Sequence, residues 1–231
     1  MSVDGVYGVI VTIDGPAGAG KSSVAREVAN SIGFDFLDTG ALYRAVTLAA
    51  IRADVDWGNI KALIKVAQKA EVEFRENRIF LFGEDVSGLI RMPSVTDVIR
   101  HIADVPEIRD ILTQKQRDYA FGRDIVTEGR DQGSEVFPTA ECKIFLTASP
   151  EERALRRQQQ LAAAGRHVPV EDILQKQNQR DLEDRSRPVG RLRPADDAVM
   201  VQTDGMTPQQ VLAQVLSIIQ TRRNSLVADI G

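Results

Sequence analysis

The sequence predicts an α/β protein: a three-layer α/β/α core around about five parallel strands, with an inserted antiparallel lobe and a short mobile lid. Three observations predict it. Short β-branched or apolar runs alternate with amphipathic stretches along most of the 231 residues, the rhythm of a parallel sheet covered by helices. A glycine-rich turn, Gly15 to Gly20, joins the first such run directly to a helical stretch. Residues 71 to 82 then switch to alternation, which places antiparallel strands inside the parallel pattern.

Each element has its own signal. Val9-Ile10-Val11-Thr12-Ile13 reads as a buried first strand, and a helix follows from Gly20 to about Ile32. Phe34-Asp35-Phe36-Leu37 is the second strand, with a helix from about Ala41 to Ala53 after it. Glu71 to Arg75 and Arg78 to Phe82 form a hairpin turning at Glu76-Asn77, with Phe80 and Phe82 facing its small core. Ile125-Val126-Thr127, Lys143-Ile144-Phe145-Leu146 and Val199-Met200-Val201-Gln202 are the remaining strands. The last helix opens at Thr207, an N-cap before Pro208, and carries Val211, Leu212, Val215, Leu216 and Ile219 on one face. The expected organisation is a core from 1–58, an inserted lobe at 59–96, and the rest of the core from 97–231. A lid lies at about 158–170, the polar stretch from Gln158 to Val168 being its centre.

Composition excludes several classes. Apolar residues at 43% and charged residues at 27% suit a folded globular chain. No apolar run approaches the roughly 18 residues of a membrane span, and the start MSVDGVYG lacks the features of a signal peptide. One cysteine, Cys142, rules out an internal disulfide and fits a reducing cytoplasm. A net charge of −4 argues against general nucleic-acid binding. Yet the chain holds 22 arginines against seven lysines. Nine of these arginines lie between Arg153 and Arg193. Arginine makes bidentate contacts to phosphate and carboxylate.

The strongest motif is Gly15-Pro16-Ala17-Gly18-Ala19-Gly20-Lys21-Ser22, which fits G-x-x-x-x-G-K-[ST] between a strand and a helix. Glycines let backbone N–H groups turn toward a phosphate, and the helix N-terminus adds partial positive charge. Lys21 reaches the β- and γ-phosphates, and Ser22 or Ser23 faces a nucleotide-bound Mg²⁺. This loop alone does not separate a GTPase, a motor ATPase and a small-molecule kinase.

Further segments narrow the choice. Leu37-Asp38-Thr39-Gly40-Ala41-Leu42-Tyr43-Arg44, Gly83 to Arg91, Gly129-Arg130-Asp131, and Lys143 to Leu146 with Glu152-Arg153-Ala154 together resemble the bacterial cytidylate kinases. The resemblance spans nearly the whole chain, the antiparallel lobe included, and implies γ-phosphoryl transfer from ATP to CMP or dCMP with Mg²⁺. It also implies roles. Arg44, Arg130 and Arg187, with Thr39 beside them, clamp the acceptor phosphate, and Asp38 and Tyr43 belong to the same acceptor site. Arg109 and Asp131 meet the cytosine edge, whose N4 amino group and N3 and O2 acceptors suit that pair. Arg180 and Asp184 contact the ribose. Arg153 and Arg157, i and i+4 on one helix face, stack on adenine and reach the ATP phosphates. Lys21, Arg130, Arg180 and Arg187 stabilise the transferring group, and Glu128 joins Ser22 or Ser23 at the metal. A nucleoside monophosphate is largely dianionic at pH 7, so alignment and charge suffice without a general base. The resemblance implies a monomer. Its alternatives are a P-loop kinase for UMP or another small acceptor, and a nucleotide-binding regulator that performs no transfer.

Four segments depart from that family's pattern. Glu128 stands where an Asp is usual. Gln132-Gly133-Ser134-Glu135 replaces a more apolar run. Arg100 takes the place of a serine near the base, and Gly190-Arg191-Leu192 replaces a Pro-Leu pair.

Overall fold

Strand β1, Ile10–Asp14, is buried along its whole length, as its β-branched run requires of a central strand. The structure, a computed structural model, describes residues 8–75, 78–163 and 165–228. From β1 the chain continues through α1 (Lys21–Ile32), β2 (Asp35–Asp38), α2 (Thr39–Arg52) and α3 (Ile60–Lys69). Strands β3 (Val72–Arg75), β4 (Arg78–Leu81) and β5 (Glu84–Asp85) follow. Two short helices, α4 (Pro93–Thr96) and α5 (Arg100–Ala103), lead into α6 (Pro106–Ala120). Then come β6 (Ile125–Gly129), β7 (Cys142–Thr147), α7 (Pro150–Ala163), α8 (Val170–Ser186), β8 (Val199–Gln202) and α9 (Pro208–Ala228). Five strands form one sheet in the order β2-β6-β1-β7-β8. In it β1 pairs in parallel with β6 and β7, and β7 with β8. Among the described residues no helix is long and apolar enough to cross a membrane.

The chain divides into two compact units, one of the residues up to Phe36 with those from Gly122 onward, the other Leu37–Phe121. The core of the first gathers Val11, Ile13, Ile144, Leu146 and Val201 from the sheet. Val24 and Val28 of α1 and Val211, Val215 and Ile219 of α9 cover them. The four-residue spacing of those helix positions is the amphipathic stripe expected of a covering helix. Thr207 does open α9. Its hydroxyl accepts the Gln210 N–H at 3.2 Å while Gln210 Oε1 accepts the Thr207 N–H at 2.8 Å, a reciprocal capping box. The expected lid is mostly helix. Gln158, Leu161 and the alanines after it are strong helix formers, so α7 runs to Ala163 and the non-helical stretch shrinks to about 165–169, opening at Gly165 with φ +73°.

The second unit exceeds the expected insert at 59–96. Leu42 and Val46 of α2, Leu63 of α3, Ile79 and Leu81 of β4, and Ile108 and Leu112 of α6 share one apolar cluster. Cutting at 59 and 96 would split that core. The hairpin strands pair antiparallel, Val72 opposite Leu81 and Phe74 opposite Ile79, and β5 adds a third strand. The expected turn at Glu76-Asn77 lies outside the described residues. The hairpin's inner face is the reverse of the expected one: Ile79 and Leu81 are buried, whereas Phe82 is 57% exposed and Phe80 half-buried. In Ile79-Phe80-Leu81-Phe82 every residue is apolar, so the alternation carried no phase.

Candidate active site

The phosphate loop of the first unit is shaped by close packing. Gly15 follows β1 with φ +148°, and a Cβ there would stand 1.9 Å from the Leu146 carbonyl oxygen of β7. Gly18 and Gly20 take φ +79° and +88°, conformations that cost other residues. Gly20 is the N-cap of α1 and offers no side-chain cap. The first N–H groups of the helix therefore stay available to an anion. Lys21 is buried and donates from Nζ to the Pro16 carbonyl at 2.8 Å. Its pKa is lowered to about 7, first by burial and then by the charge of Arg130, against the pull of Glu128 and Asp14.

Two carboxylates stand behind the loop. Asp14, the last residue of β1, accepts the N–H groups of Gln132 and Gly133 at 2.9 and 2.8 Å. It thereby pins the segment after Arg130 and Asp131 to the strand that launches the loop. Burial pushes its pKa up to about 7, although those two hydrogen bonds oppose the rise. Sequence reading missed this residue; its signal was a charge closing an otherwise apolar strand. Glu128, buried in β6, accepts a hydrogen bond from Ser22 Oγ at 3.0 Å; Ser22 and Ser23 are both exposed.

The Asp14 environment has a measurable consequence. Its carboxyl is ordinarily at 3.8 and stands near 7 when folded. Between those values the folded chain keeps a proton that the unfolded chain has lost. Stability therefore falls as pH rises from 5 to 7, by up to about 1.4 kcal/mol per pH unit. Lys21 acts above that window and Asp184 below it. Calorimetric Tm values at pH 5, 6 and 7 should decline in the native chain and decline less in Asp14→Asn. Equal slopes in the two proteins would contradict the assignment.

The arginine groups assemble around α8. Asp184 is 2% exposed and binds two arginines at once: Arg130 Nε at 2.9 Å through one oxygen and Arg187 Nη2 at 2.9 Å through the other. Burial alone would raise its pKa, but Arg130 and Arg187 outweigh it and hold the carboxyl below its usual value. Burial likewise works against the Arg130 charge, and Asp184 overcomes it, leaving that guanidinium more firmly protonated than usual. Both Asp184 oxygens are thus engaged by arginines. Arg180, half-buried on the same helix, acts electrostatically on both Lys21 and Asp184. Asp131 is buried and acts on Asp14.

Arg153 departs most from expectation. The sequence placed it beside Arg157 on one open helix face. Arg157 is exposed, but Arg153 is 2% exposed and turned inward. Its guanidinium donates to the Ala148 and Ala17 carbonyls at 3.1 and 2.9 Å and pairs with Asp181 at 2.7 Å. Three partners hold it within the protein.

Two departures from the family pattern meet each other. Residues Gln132–Val136 form a single π-helical turn, in which Gln132 Oε1 accepts a bond from Thr127 Oγ1 at 2.9 Å. Glu135 Oε2 accepts the Gly190 N–H at 2.8 Å. Gly190 has φ +65°, and Leu192 N–H bonds to the Asp184 carbonyl at 2.9 Å, so this segment folds back on the end of α8.

The second unit holds its own set. Asp38 caps α2, its Oδ1 accepting the Ala41 N–H at 2.8 Å, and Arg91 stands 3.9 Å from its other oxygen. Thr39 is buried and Arg44 half-buried in the first turns of that helix. Arg109 is buried on α6, donates to the Ala103 carbonyl at 3.1 Å, and lies over the Tyr43 ring at 5.4 Å. At that distance the ring face attracts the guanidinium charge. Arg100 is exposed on α5 with Asp104 at 3.8 Å.

A glycine loop with a buried lysine, at the carboxyl end of a parallel strand and in the same unit as two carboxylate-oriented arginines, belongs to the P-loop phosphotransferases. Comparison with known proteins gives the particular family. The cytidylate kinase family model matches residues 11–221. A cytidylate kinase of Rhodopirellula baltica is 59% identical over 212 residues, covering 92% of this chain and 93% of that one. One of Mannheimia succiniciproducens is 42% identical over 218 residues, covering 93% and 97%. The chain belongs to the cytidylate kinase family. A solved gluconokinase of Sinorhizobium meliloti 1021 shares the fold, with a TM-score of 0.50 at 16% identity over 96% of this chain and 97% of that one.

Proposed function

We propose that the chain transfers the γ-phosphoryl group of ATP to CMP or dCMP, giving ADP and CDP or dCDP. Family membership supports the reaction, and one observation carries its assignment to residues: Asp184 holds Arg130 and Arg187 together in the unit that also carries Lys21. Phosphoryl transfer needs positive charge held in place before the reaction begins. A buried carboxylate between two arginines does that.

The roles follow. The loop from Gly15 to Gly20, Lys21 and the start of α1 bind the ATP phosphates, and Arg157 takes the adenine. Arg130, Arg180 and Arg187 neutralise charge on the transferring group. Arg44 and Thr39 take the acceptor phosphate. Arg109, braced on Tyr43, and Asp131 read the cytosine. Ser22 Oγ and Glu128 Oε1, 3.0 Å apart, are a hydroxyl and a carboxylate, the hard oxygen donors that fit Mg²⁺ alongside substrate phosphates and water. When bound, the ion neutralises β- and γ-phosphate charge. The buried single Cys142 fits a cytoplasmic location, and we read the working unit as one chain.

The test is ADP formation from ATP and Mg²⁺ with CMP, dCMP, UMP or AMP as acceptor. Turnover should be highest with CMP or dCMP. Preference for UMP or AMP would overturn the base assignment to Arg109 and Asp131. ATP binding without transfer to any acceptor would overturn the kinase reading.

A further inference from the structure

Arg153 is a charged residue that is only 2% exposed. It lies on α7, but its three partners belong to three other places. Nε bonds to Ala148 after β7, Nη1 to Ala17 in the phosphate loop, and Nη2 to Asp181 on α8. A second link runs parallel to the first: Gln177 Nε2 on α8 approaches the Arg153 carbonyl at 3.4 Å. The same Gln177 nitrogen lies against the loop, 2.8 Å from where a Cβ on Gly18 would be. Residues Ala17 and Gly18 are therefore clasped by side chains of α7 and α8.

Geometry makes this clasp consequential. In a planar trans peptide the C=O and the next N–H point in opposite directions, so holding the Ala17 carbonyl also fixes the Gly18 N–H, one of the loop's donors. On the far side, α8 carries Arg180 one residue before Asp181 and Asp184 three residues after it. Arg187 follows at the helix end. Arg153 and Gln177 thus link the loop to the helix that carries Arg180 and Asp184. The clasp also holds a reserve. Gln177 Oε1 and Asp181 Oδ1 are buried without donors, and buried acceptors without donors carry a penalty. A shift of α8 that gave them donors would offset part of the packing lost in moving.

We propose that Arg153 is a positioning residue that couples occupancy of the phosphate loop to the arginine group on α8, so that the donor nucleotide strengthens binding of the acceptor. The inference rests on the kinase reading above. A guanidinium serves because its planar fork reaches three acceptors at fixed angles, which the single ammonium of lysine does not. Asp181 anchors the helix end of the link.

The experiment is calorimetric titration of CMP into the full chain with and without a saturating non-hydrolysable ATP analogue, repeated in the reverse order. The native chain should bind CMP about tenfold more tightly in the presence of the analogue, and the reverse titration must give the same factor. Arg153→Lys and Asp181→Asn should each cut that factor to below about threefold. Arg153→Lys keeps the buried positive charge beside Asp181 but loses carbonyl contacts, so its Tm should fall less than in Asp181→Asn, which leaves the Arg153 charge unpaired. Steady-state kinetics should show the split: the KM for CMP at saturating ATP rises in both variants more than kcat falls. A merely structural role would lower Tm and both affinities together and leave the coupling factor intact. An unchanged factor in both variants overturns the inference, as does a native chain without coupling. Failure of the native chain to bind CMP or the analogue overturns the kinase reading, and the inference with it.

Discussion

Lys21→Met is expected to lower kcat about a thousandfold at saturating ATP, with the chain still folded. The substitution keeps the length of the side chain and removes its charge. In the native protein Nζ lies within 2.8 Å of the Pro16 carbonyl and within electrostatic reach of Arg130, Glu128 and Asp14. Phosphate charge beside Lys21 favours its protonated form, and a cation fixed there needs no rearrangement as charge shifts onto the β–γ bridging oxygen, whereas a thioether supplies nothing in its place. Stability should move the other way. Burial holds the Lys21 pKa near 7 against an ordinary 10.5. Between pH 7 and 10.5 the unfolded chain therefore holds a proton that the folded chain has lost. The native chain gains stability with rising pH across that window, and the methionine variant should lose that gain. Single-turnover kinetics check the first part and Tm against pH the second. A kcat within tenfold of native would remove Lys21 from the chemistry.

Gly15→Ala is expected to destabilise the fold by at least about 3 kcal/mol. Two costs coincide. The added Cβ would lie 1.9 Å from the Leu146 carbonyl, and Leu146 is a fully buried residue of β7 with strands on both sides. That backbone cannot retreat without breaking the sheet. The φ of +148° adds strain of its own. Gly20→Ala isolates the second cost: φ is +88°, but no atom lies within 4 Å of the new Cβ, so its effect should be about 1 kcal/mol. Urea unfolding of the two variants measures both. Similar midpoints would show that the approach to Leu146 does not constrain the loop.

The phosphate loop was legible because everything it needs is contiguous. Strand, glycines, lysine and helix N-terminus follow one another within a dozen residues, and backbone geometry does the rest. The α9 cap at Thr207 and Pro208 and the apolar stripe behind it were legible for the same reason. Phase was another matter. The run from Ile79 to Phe82 is apolar throughout, so only the cluster formed by α2, α3 and α6 decides that Ile79 and Leu81 face inward. Helix α8 is harder still. From Val170 to Ser186 it is polar nearly all round, and its sequence marks no inner face. Nothing local separates Asp181 and Asp184, which are buried, from Asp172, which is exposed.

What the sequence by itself determined is local: a parallel α/β core, a loop built for phosphate, an antiparallel lobe, and caps at the helix ends. Each depends on residues within a few positions of one another, where sterics and hydrogen bonding act directly through the backbone. What the tertiary structure alone decided is which charges meet. Asp184 joins Arg130 from 54 residues away, Arg153 turns under Ala17 from 136 residues away, and Asp14 holds the backbone of Gln132 and Gly133. In a chain this rich in arginine and carboxylate many pairings were open. Burial selected among them, because a charge taken out of water must find its partner within the fold.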